Sequence, residues 1–306
     1  MPITRVESIT YGVDDVAAAT KYFADWGLPC REKSAAGAEF TLPTGQSVAI
    51  RGTGDSILPA AIEGGPTMRE TVWGVDSKEA LEEIGAELGR DREVKRDSAG
   101  GLHTKDDIGL AIGFRVAAPG KDPGLPQQRG INEVVEPGKP PTFLRLGHVV
   151  YFCPKSELQK ASAFYMDRLK FRLSDRALDL GDFMRCPGSI WHHNIFFLTV
   201  LARTGWNHVA FDVSDINDVV SGGHRMLKQG YKAYSSPGRH IMGSNVFWYF
   251  NAVCGGQTEY SADMDRLDEN WQARVWEKNP GGDMWQFQTS DIIIPQYMRQ
   301  NRSSNA

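Results

Sequence analysis

Three residues far apart in the sequence, His148, His208 and Glu259, are of the types that hold a divalent metal ion. Two imidazoles and one carboxylate on one face leave coordination positions open, the ligand pattern of mononuclear non-haem iron oxygenases. Taken singly, each is as well explained as an ordinary strand histidine or a surface glutamate. Their placement alters the balance. Of the seven histidines only His103 precedes residue 145, while His148, His192, His193, His208, His224 and His240 follow it, so the chemistry is expected in the C-terminal half.

A recurring pattern supplies the elements that would position these groups. Four times, a short apolar strand passes through turn residues into an amphipathic helix, followed by shorter strand-like runs split by Gly or Pro. The strands open at Ser8, Glu70, His148 and His208. Asp14-Asp15, Asp76-Ser77 and Ser214-Asp215 stand at the strand exits, where Asp or Ser can accept hydrogen bonds from the first helical turn, and Pro154 presets the backbone in the third copy. His148 and His208 thus share one register, the first residue of the opening strand in units three and four. Glu259 falls in the last strand of unit four. The corresponding first-half positions, Ser8, Glu70 and Ala111, cannot form the same site, so the pattern predicts two halves of which one binds metal.

The remaining features bound the answer. With 306 residues and 33.9 kDa the chain is long enough for two ordinary domains, each able to bury its own core. A net charge of -4 gives no electrostatic case for nucleic acid or an anionic membrane as partner. No apolar run is long enough for a membrane span, and Met1 to Arg5 lack the layout of a signal peptide. Four scattered cysteines, Cys30, Cys153, Cys186 and Cys254, read as reduced and mostly buried thiols of a cytoplasmic protein. Neither Gly222-Gly223 nor Gly255-Gly256 is followed by the Lys-Ser/Thr of a nucleotide loop. The Pro- and Gly-rich stretch at 118–141 marks a linker between domains at 1–117 and 142–290, with a tail at 291–306. Trp271, Trp276 and Trp285 suggest that the chain after Tyr260 packs back onto the body.

From Gly147-His148 through Trp191-His192-His193, Asn207-His208-Val209-Ala210-Phe211 and Gly238-Arg239-His240 to Tyr249 and Glu259-Tyr260, the sequence resembles the type I extradiol ring-cleaving dioxygenases. These belong to the vicinal oxygen chelate superfamily and include 2,3-dihydroxybiphenyl and catechol 2,3-dioxygenases; the resemblance covers nearly the whole chain. It implies an α+β fold of four βαβββ units paired into two domains, the glyoxalase/bleomycin resistance/dioxygenase architecture. It also implies Fe(II), or Mn(II) in some members, on His148, His208 and Glu259. The substrates would be a small aromatic diol and dioxygen, and the assembly a homo-oligomer. His193 matches the family's acid–base histidine, with His192 as the alternative because strand alternation would point the two oppositely. His240 and Tyr249 match the groups that hydrogen-bond the substrate oxygens. Phe183, Trp191, Phe247 and Trp248 are candidates to line the pocket, half of them expected to point away, and Trp271 and Trp276 to cover its mouth. His103 and His224 read as surface residues, and Arg239 as an exposed turn arginine. Two other readings share the fold: a glyoxalase-like metal isomerase or lyase, and a metal-free small-molecule binding protein.

Overall fold

The computed structural model describes residues 2–120, 131–132 and 138–287. Most of the predicted linker, and the tail at 291–306, lie outside the described residues. The repeat appears as four βαβββ units. The first runs β1 (Ile3–Val13), α1 (Val16–Trp26), β2 (Cys30–Lys33), β3 (Gly37–Thr41) and β4 (Ser47–Gly52). The second runs β5 (Thr67–Val75), α2 (Lys78–Leu88), β6 (Lys95–Arg96), β7 (Leu102–Lys105) and β8 (Ala111–Val116). The third is β9 (Phe143–Phe152), α3 (Leu158–Ala163), β10 (Arg172–Ala177), β11 (Gly181–Arg185) and β12 (Ile195–Leu198). The fourth is β13 (Gly205–Val213), α4 (Ile216–Lys228), β14 (Gly238–His240), β15 (Val246–Asn251) and β16 (Gln257–Ala262). Two strands follow the repeat, β17 (Arg274–Trp276) and β18 (Asp283–Gln286).

Helix starts are set where the sequence placed them. Asp15 accepts from the Ala18 amide at 2.8 Å, Ser77 from Ala80 at 3.1 Å, and Asp215 from both Asn217 and Asp218. Gly27, at φ 106°, takes the left-handed turn that ends α1, which a residue with a Cβ adopts only under strain. Unit three enters its helix through Pro154 and a 3-10 turn, Lys155–Glu157. It leaves through a π-helical turn at Phe164–Arg168 that delivers Phe164 and Tyr165 to the core.

Each half folds around an antiparallel central pair, β1 with β5 and β9 with β13, and the other strands are added symmetrically outward. The order is β2-β3-β4-β1-β5-β8-β7-β6 in the first sheet and β17-β10-β11-β12-β9-β13-β16-β15-β14-β18 in the second. The two added strands occupy both edges of the second sheet, so the described chain after Tyr260 packs back onto the body through these strands. The opening strands are longer than the apolar runs suggested. His148 and His208 sit within β9 and β13 rather than at their first residues, because Phe143, Leu144, Leu146 and Trp206 are themselves buried and extend the pairing.

The two halves do not keep separate cores. Buried apolar side chains from Ile3 to Ala262 form one continuous cluster running through both sheets. The cause is α1, whose aromatic face reaches past its own sheet. Trp26 stacks on Tyr260 of β16 with ring centroids 3.6 Å apart and 6° between planes, and the Tyr260 hydroxyl donates to the Trp26 carbonyl at 2.6 Å. The Tyr22 hydroxyl meets Thr258 at 2.5 Å, and Phe23 packs edge-on against Phe211. Gly222 and Gly223 let α4 come close enough to complete this layer: a Cβ on Gly223 would stand 2.0 Å from the Trp248 ring. At the sheet joint, buried Gln46 donates to the Val6 and Leu146 carbonyls at 2.6 and 2.8 Å and accepts from the Leu146 amide at 3.0 Å.

Candidate metal centre

Strand alternation decides which side chains meet. Val149 and Tyr151, Val209 and Phe211, and Thr258 and Tyr260 face the helices, so His148, His208 and Glu259 face the opposite way. His148 lies opposite Ala210, and Ala210 opposite Glu259, in one row across three strands; His208 lies opposite Val150. The small Ala210 between His148 and Glu259 leaves room for their ends to converge.

The three ligand atoms form a nearly equilateral triangle. His148 Nε2 and His208 Nε2 are each 3.2 Å from Glu259 Oε2 and 3.4 Å from one another. A nitrogen or oxygen ligand binds a small divalent ion at about 2.1 Å, so two ligands at right angles stand about 3.0 Å apart. The triangle fits one face of an octahedron with little adjustment. All three residues are buried, and Glu259 Oε2 has no hydrogen-bond partner although water does not reach it. A buried, unpaired carboxylate oxygen facing two ring nitrogens is costly without a cation and favourable with one.

Neighbours orient the ligands. His208 Nδ1 donates to Asn207 Oδ1 at 2.5 Å, which leaves the Nε2 lone pair for the triangle, and Asn245 Nδ2 donates to Glu259 Oε1 at 2.9 Å. Burial opposes ionisation of Glu259, but the rings of His148 and His208 outweigh it and hold the carboxyl well below the usual carboxylate range. Burial pushes His208 down to about 4 in spite of Glu259. At neutral pH the site therefore presents the His208 lone pair and one anionic oxygen, the form in which a metal is bound.

The predicted proton-handling residues surround this triangle. The His193 ring lies 4.2 Å from that of His148, centroid to centroid. Burial, and then the neighbouring imidazoles, push His193 well below the usual histidine range. The expectation that His192 and His193 point oppositely is corrected. Both lie in the irregular turn before β12, where alternation does not apply, and their Nδ1 atoms meet at 3.0 Å. On the other side, His240 Nε2 meets the Tyr249 hydroxyl at 2.9 Å, and the Tyr249 ring lies 5.0 Å from that of His208. Burial and the charge of Glu259 push the Tyr249 hydroxyl up, so it stays a donor. Asp283 of β18 accepts from His240 Nδ1 at 2.7 Å.

The walls divide by chemistry. Phe183 and Phe196 stack at 3.8 Å and, with Val150, Ala177 and Met242, form a second apolar cluster that Trp276 joins. Phe247 stacks on His240 at 3.9 Å. Trp191 instead lies beneath the Arg145 guanidinium, and Trp248 faces α4 with its indole donating to the Ser235 carbonyl. Trp271 rests on β10 through a hydrogen bond to the Ser174 carbonyl. Arg239 is spent on the Ser244 carbonyl and Asp263, and His224 is exposed.

In the first half, the row matching His148–Ala210–Glu259 is Ser8–Val72–Gly113, with Glu70 in the place of His208. Gly113, not Ala111, is thus the counterpart of Glu259, a two-residue correction that leaves this half equally unable to build the triangle. His103, opposite Gly113, is no simple surface residue. It lies half-buried between Glu70 at 2.8 Å and Asp97 at 3.0 Å, and its hydrogen bond to Glu70, with help from Asp97, raises it to about 9. Sequence reasoning missed Asp175, Asn245, Arg274 and Asp283. Asn207 alone had a signal, its adjacency to His208.

The architecture is the vicinal oxygen chelate fold, shared by glyoxalases and extradiol dioxygenases. No family model matches the chain. Metapyrocatechase 2 of Cupriavidus necator is 38% identical over 163 residues, 51% of this chain and 47% of that enzyme. The chain therefore spans about half the length of the curated relatives it matches. Among solved structures, a Mn(II)-bound glyoxalase from Novosphingobium aromaticivorans superposes with a TM-score of 0.74 at 25% identity, covering 93% of this chain and 91% of that one. A halotolerant catechol dioxygenase superposes with a TM-score of 0.75 at 17% identity, covering 94% and 95%.

Proposed function

We propose that this protein is an extradiol dioxygenase that cleaves a catechol-type ring next to its two hydroxyls, with His148, His208 and Glu259 holding Fe(II), or Mn(II), at its centre. The observation that carries this reading is the ligand triangle flanked on both sides by proton-handling groups, His193 on one and the His240–Tyr249 pair on the other. The similarity to metapyrocatechase 2 supports it. The bound metal would supply adjacent positions for the two diol oxygens and dioxygen and let electrons pass from ring to dioxygen. The protein's own groups do the rest. Tyr249 and His240 lie where they can hydrogen-bond a diol oxygen beside His208, and His193 where it can take and return a proton beside His148. Phe183 and Phe196 provide an apolar wall that excludes water and accepts a flat ring. In this reading 142–290 is the catalytic domain, 1–117 its metal-free partner, and the enzyme a cytoplasmic homo-oligomer acting in aromatic catabolism. No described helix is long and apolar enough to cross a membrane.

A second reading, a glyoxalase-like isomerase or lyase, is favoured by the whole-chain match to the Mn(II)-bound glyoxalase. That chemistry calls for a free carboxylate base, whereas Asp175 and Asp283, the acids wired to this site, are each committed to an imidazole. Oxygen uptake by anaerobically iron-loaded protein with a panel of catechols separates the two. Uptake with appearance of a yellow ring-opened product supports ring cleavage. No uptake with any catechol, or full activity and bound metal in His208→Ala, sinks it.

A further inference from the structure

Arg185 ends β11 and is the only buried lysine or arginine among the described residues, with 2% of its surface exposed. Met184 and Cys186 on either side of it belong to the core under the helices, while Phe183 belongs to the apolar wall of the pocket. Alternation therefore puts Arg185 on the pocket face, two residues beyond Phe183. Asn194 fixes its place on that face. The Asn194 amide donates to the Met184 carbonyl at 2.9 Å, and its side chain accepts from the Cys186 amide at 3.0 Å. On its other flank the Val149 amide donates to the Asn194 carbonyl at 3.0 Å, and Asn194 Nδ2 donates to the Gly147 carbonyl at 3.1 Å. Arg185, Asn194 and His148 thus stand in one row, which puts Arg185 two strand spacings, about 10 Å, from His148. The row continues through Ala210 to Glu259 and Tyr249.

Among the described residues no carboxylate pairs with this cation. Arg145, Arg176 and Arg274 in the same half pair with Asp212, Asp182 and Asp175. Arg185 gives Nη2 to the Asp268 main-chain carbonyl at 2.6 Å, and Nη1 is buried without a hydrogen-bond partner. The Asp268 carboxylate itself is exposed and accepts from Asn270. Burial, and then Arg172 opposite it on β10, push Arg185 below its usual range, yet a guanidinium stays protonated. A desolvated charge left unpaired is unfavourable, and an anion on Nη1 removes that cost.

We propose that Arg185 is a specificity-determining residue and that the aromatic diol taken by this pocket carries a carboxylate on a short side chain. The diol faces the His148–His208–Glu259 triangle, the ring lies along Phe183 and Phe196, and the carboxylate meets Nη1. The planar, always-charged fork of arginine suits a carboxylate better than any other side chain does. That the anion is borne by a ring-cleavage substrate rests on the proposed function; that Arg185 takes a carboxylate does not.

The probes are 3-(2,3-dihydroxyphenyl)propionate and 3,4-dihydroxyphenylacetate, each compared with its methyl ester. Mn(II)-loaded protein under nitrogen lets calorimetry read binding without turnover. Wild type should bind at least one acid about 10- to 100-fold more tightly than its ester. Arg185→Met, similar in length but uncharged, should lose that preference and keep its Mn(II) affinity. Arg185→Lys, which keeps the charge without the fork, should show it reduced several-fold. Wild type that binds neither acid more tightly than its ester overturns the proposal, whether or not a variant folds. So does a preference that survives unchanged in either variant. Iron-loaded wild type that takes up no oxygen with the acids it selects refutes ring cleavage and leaves the carboxylate site standing. Uptake with acids and esters alike, without selection, does the reverse.

Discussion

Replacing Glu259 with Gln gives the sharpest reading of the metal centre, because it alters charge while conserving shape. In the metal-free protein Glu259 Oε2 is buried without a hydrogen bond, 3.2 Å from two ring nitrogens. A buried unsatisfied group costs about 1–3 kcal/mol, more when charged. A Gln there can accept from Asn245 through its oxygen and donate from its nitrogen to an imidazole lone pair, which removes that cost. Metal-free Glu259→Gln should therefore melt at or above the temperature of metal-free wild type. Added metal has the opposite ranking. A divalent ion at 100 times its Kd stabilises the folded state by about 2.7 kcal/mol, on the order of 5–10 °C in Tm for a unit of this size. Wild type should show that rise and the variant little of it. Differential scanning fluorimetry with Mn(II), and with Fe(II) under nitrogen, reads both. A variant that keeps the full metal-dependent rise, or that melts well below wild type without metal, would refute the assignment of Glu259 as the anionic ligand.

Three further outcomes follow from features outside the triangle. His103 is raised from 6.5 to about 9 by Glu70 and Asp97, so its stabilisation is full below pH 6.5 and fades as pH rises through 9. With the side chain about one-third exposed, screening limits it to about 1 kcal/mol or less; urea midpoints of wild type and His103→Gln should differ at pH 6 and converge near pH 10. Asp106 is raised from 3.8 to about 7 by burial, so the folded state holds its proton and stability falls as pH climbs between those values. Asp106→Asn keeps an acceptor for the Ile108 and Leu110 amides and should flatten that fall, seen by comparing urea midpoints at pH 4 and pH 8. Gly223→Ala forces a Cβ against Trp248 and should cost about 1–3 kcal/mol by chemical denaturation, with metal binding retained.

The repeat and its helix starts were legible because they depend on local chemistry: an apolar run, a capping Asp or Ser, an amphipathic stretch. The metal triangle was legible because duplication placed two histidines in one register, where chance would not. Gly113 was misassigned by two residues because the alignment of β8 beside β5 is fixed by parallel pairing and by bulges in neighbouring strands, which residue counting does not register. The relation between His192 and His193 was misjudged for a similar reason, since alternation holds only inside a strand. Asp175, Arg274 and Asp283 reach the site from strands far away in sequence, and nothing in their local context distinguishes them from other acids and bases. The shared core went unseen because Tyr22, Phe23 and Trp26 have the same apolar spacing whether they cover their own sheet or the next one.

Glu259 stands between Thr258 and Tyr260, and both of these neighbours are held by α1 of the other half. The half that cannot form the triangle is therefore the mould for the strand that carries Glu259. Gene duplication ordinarily leaves a spare copy free to drift or be shed. Here the spare has been conscripted: substitutions on α1, in a half that cannot form the triangle, are expected to shift the strand that carries Glu259. Redesign around Glu259 therefore has α1 of the other half to reckon with as well as the residues beside the carboxylate.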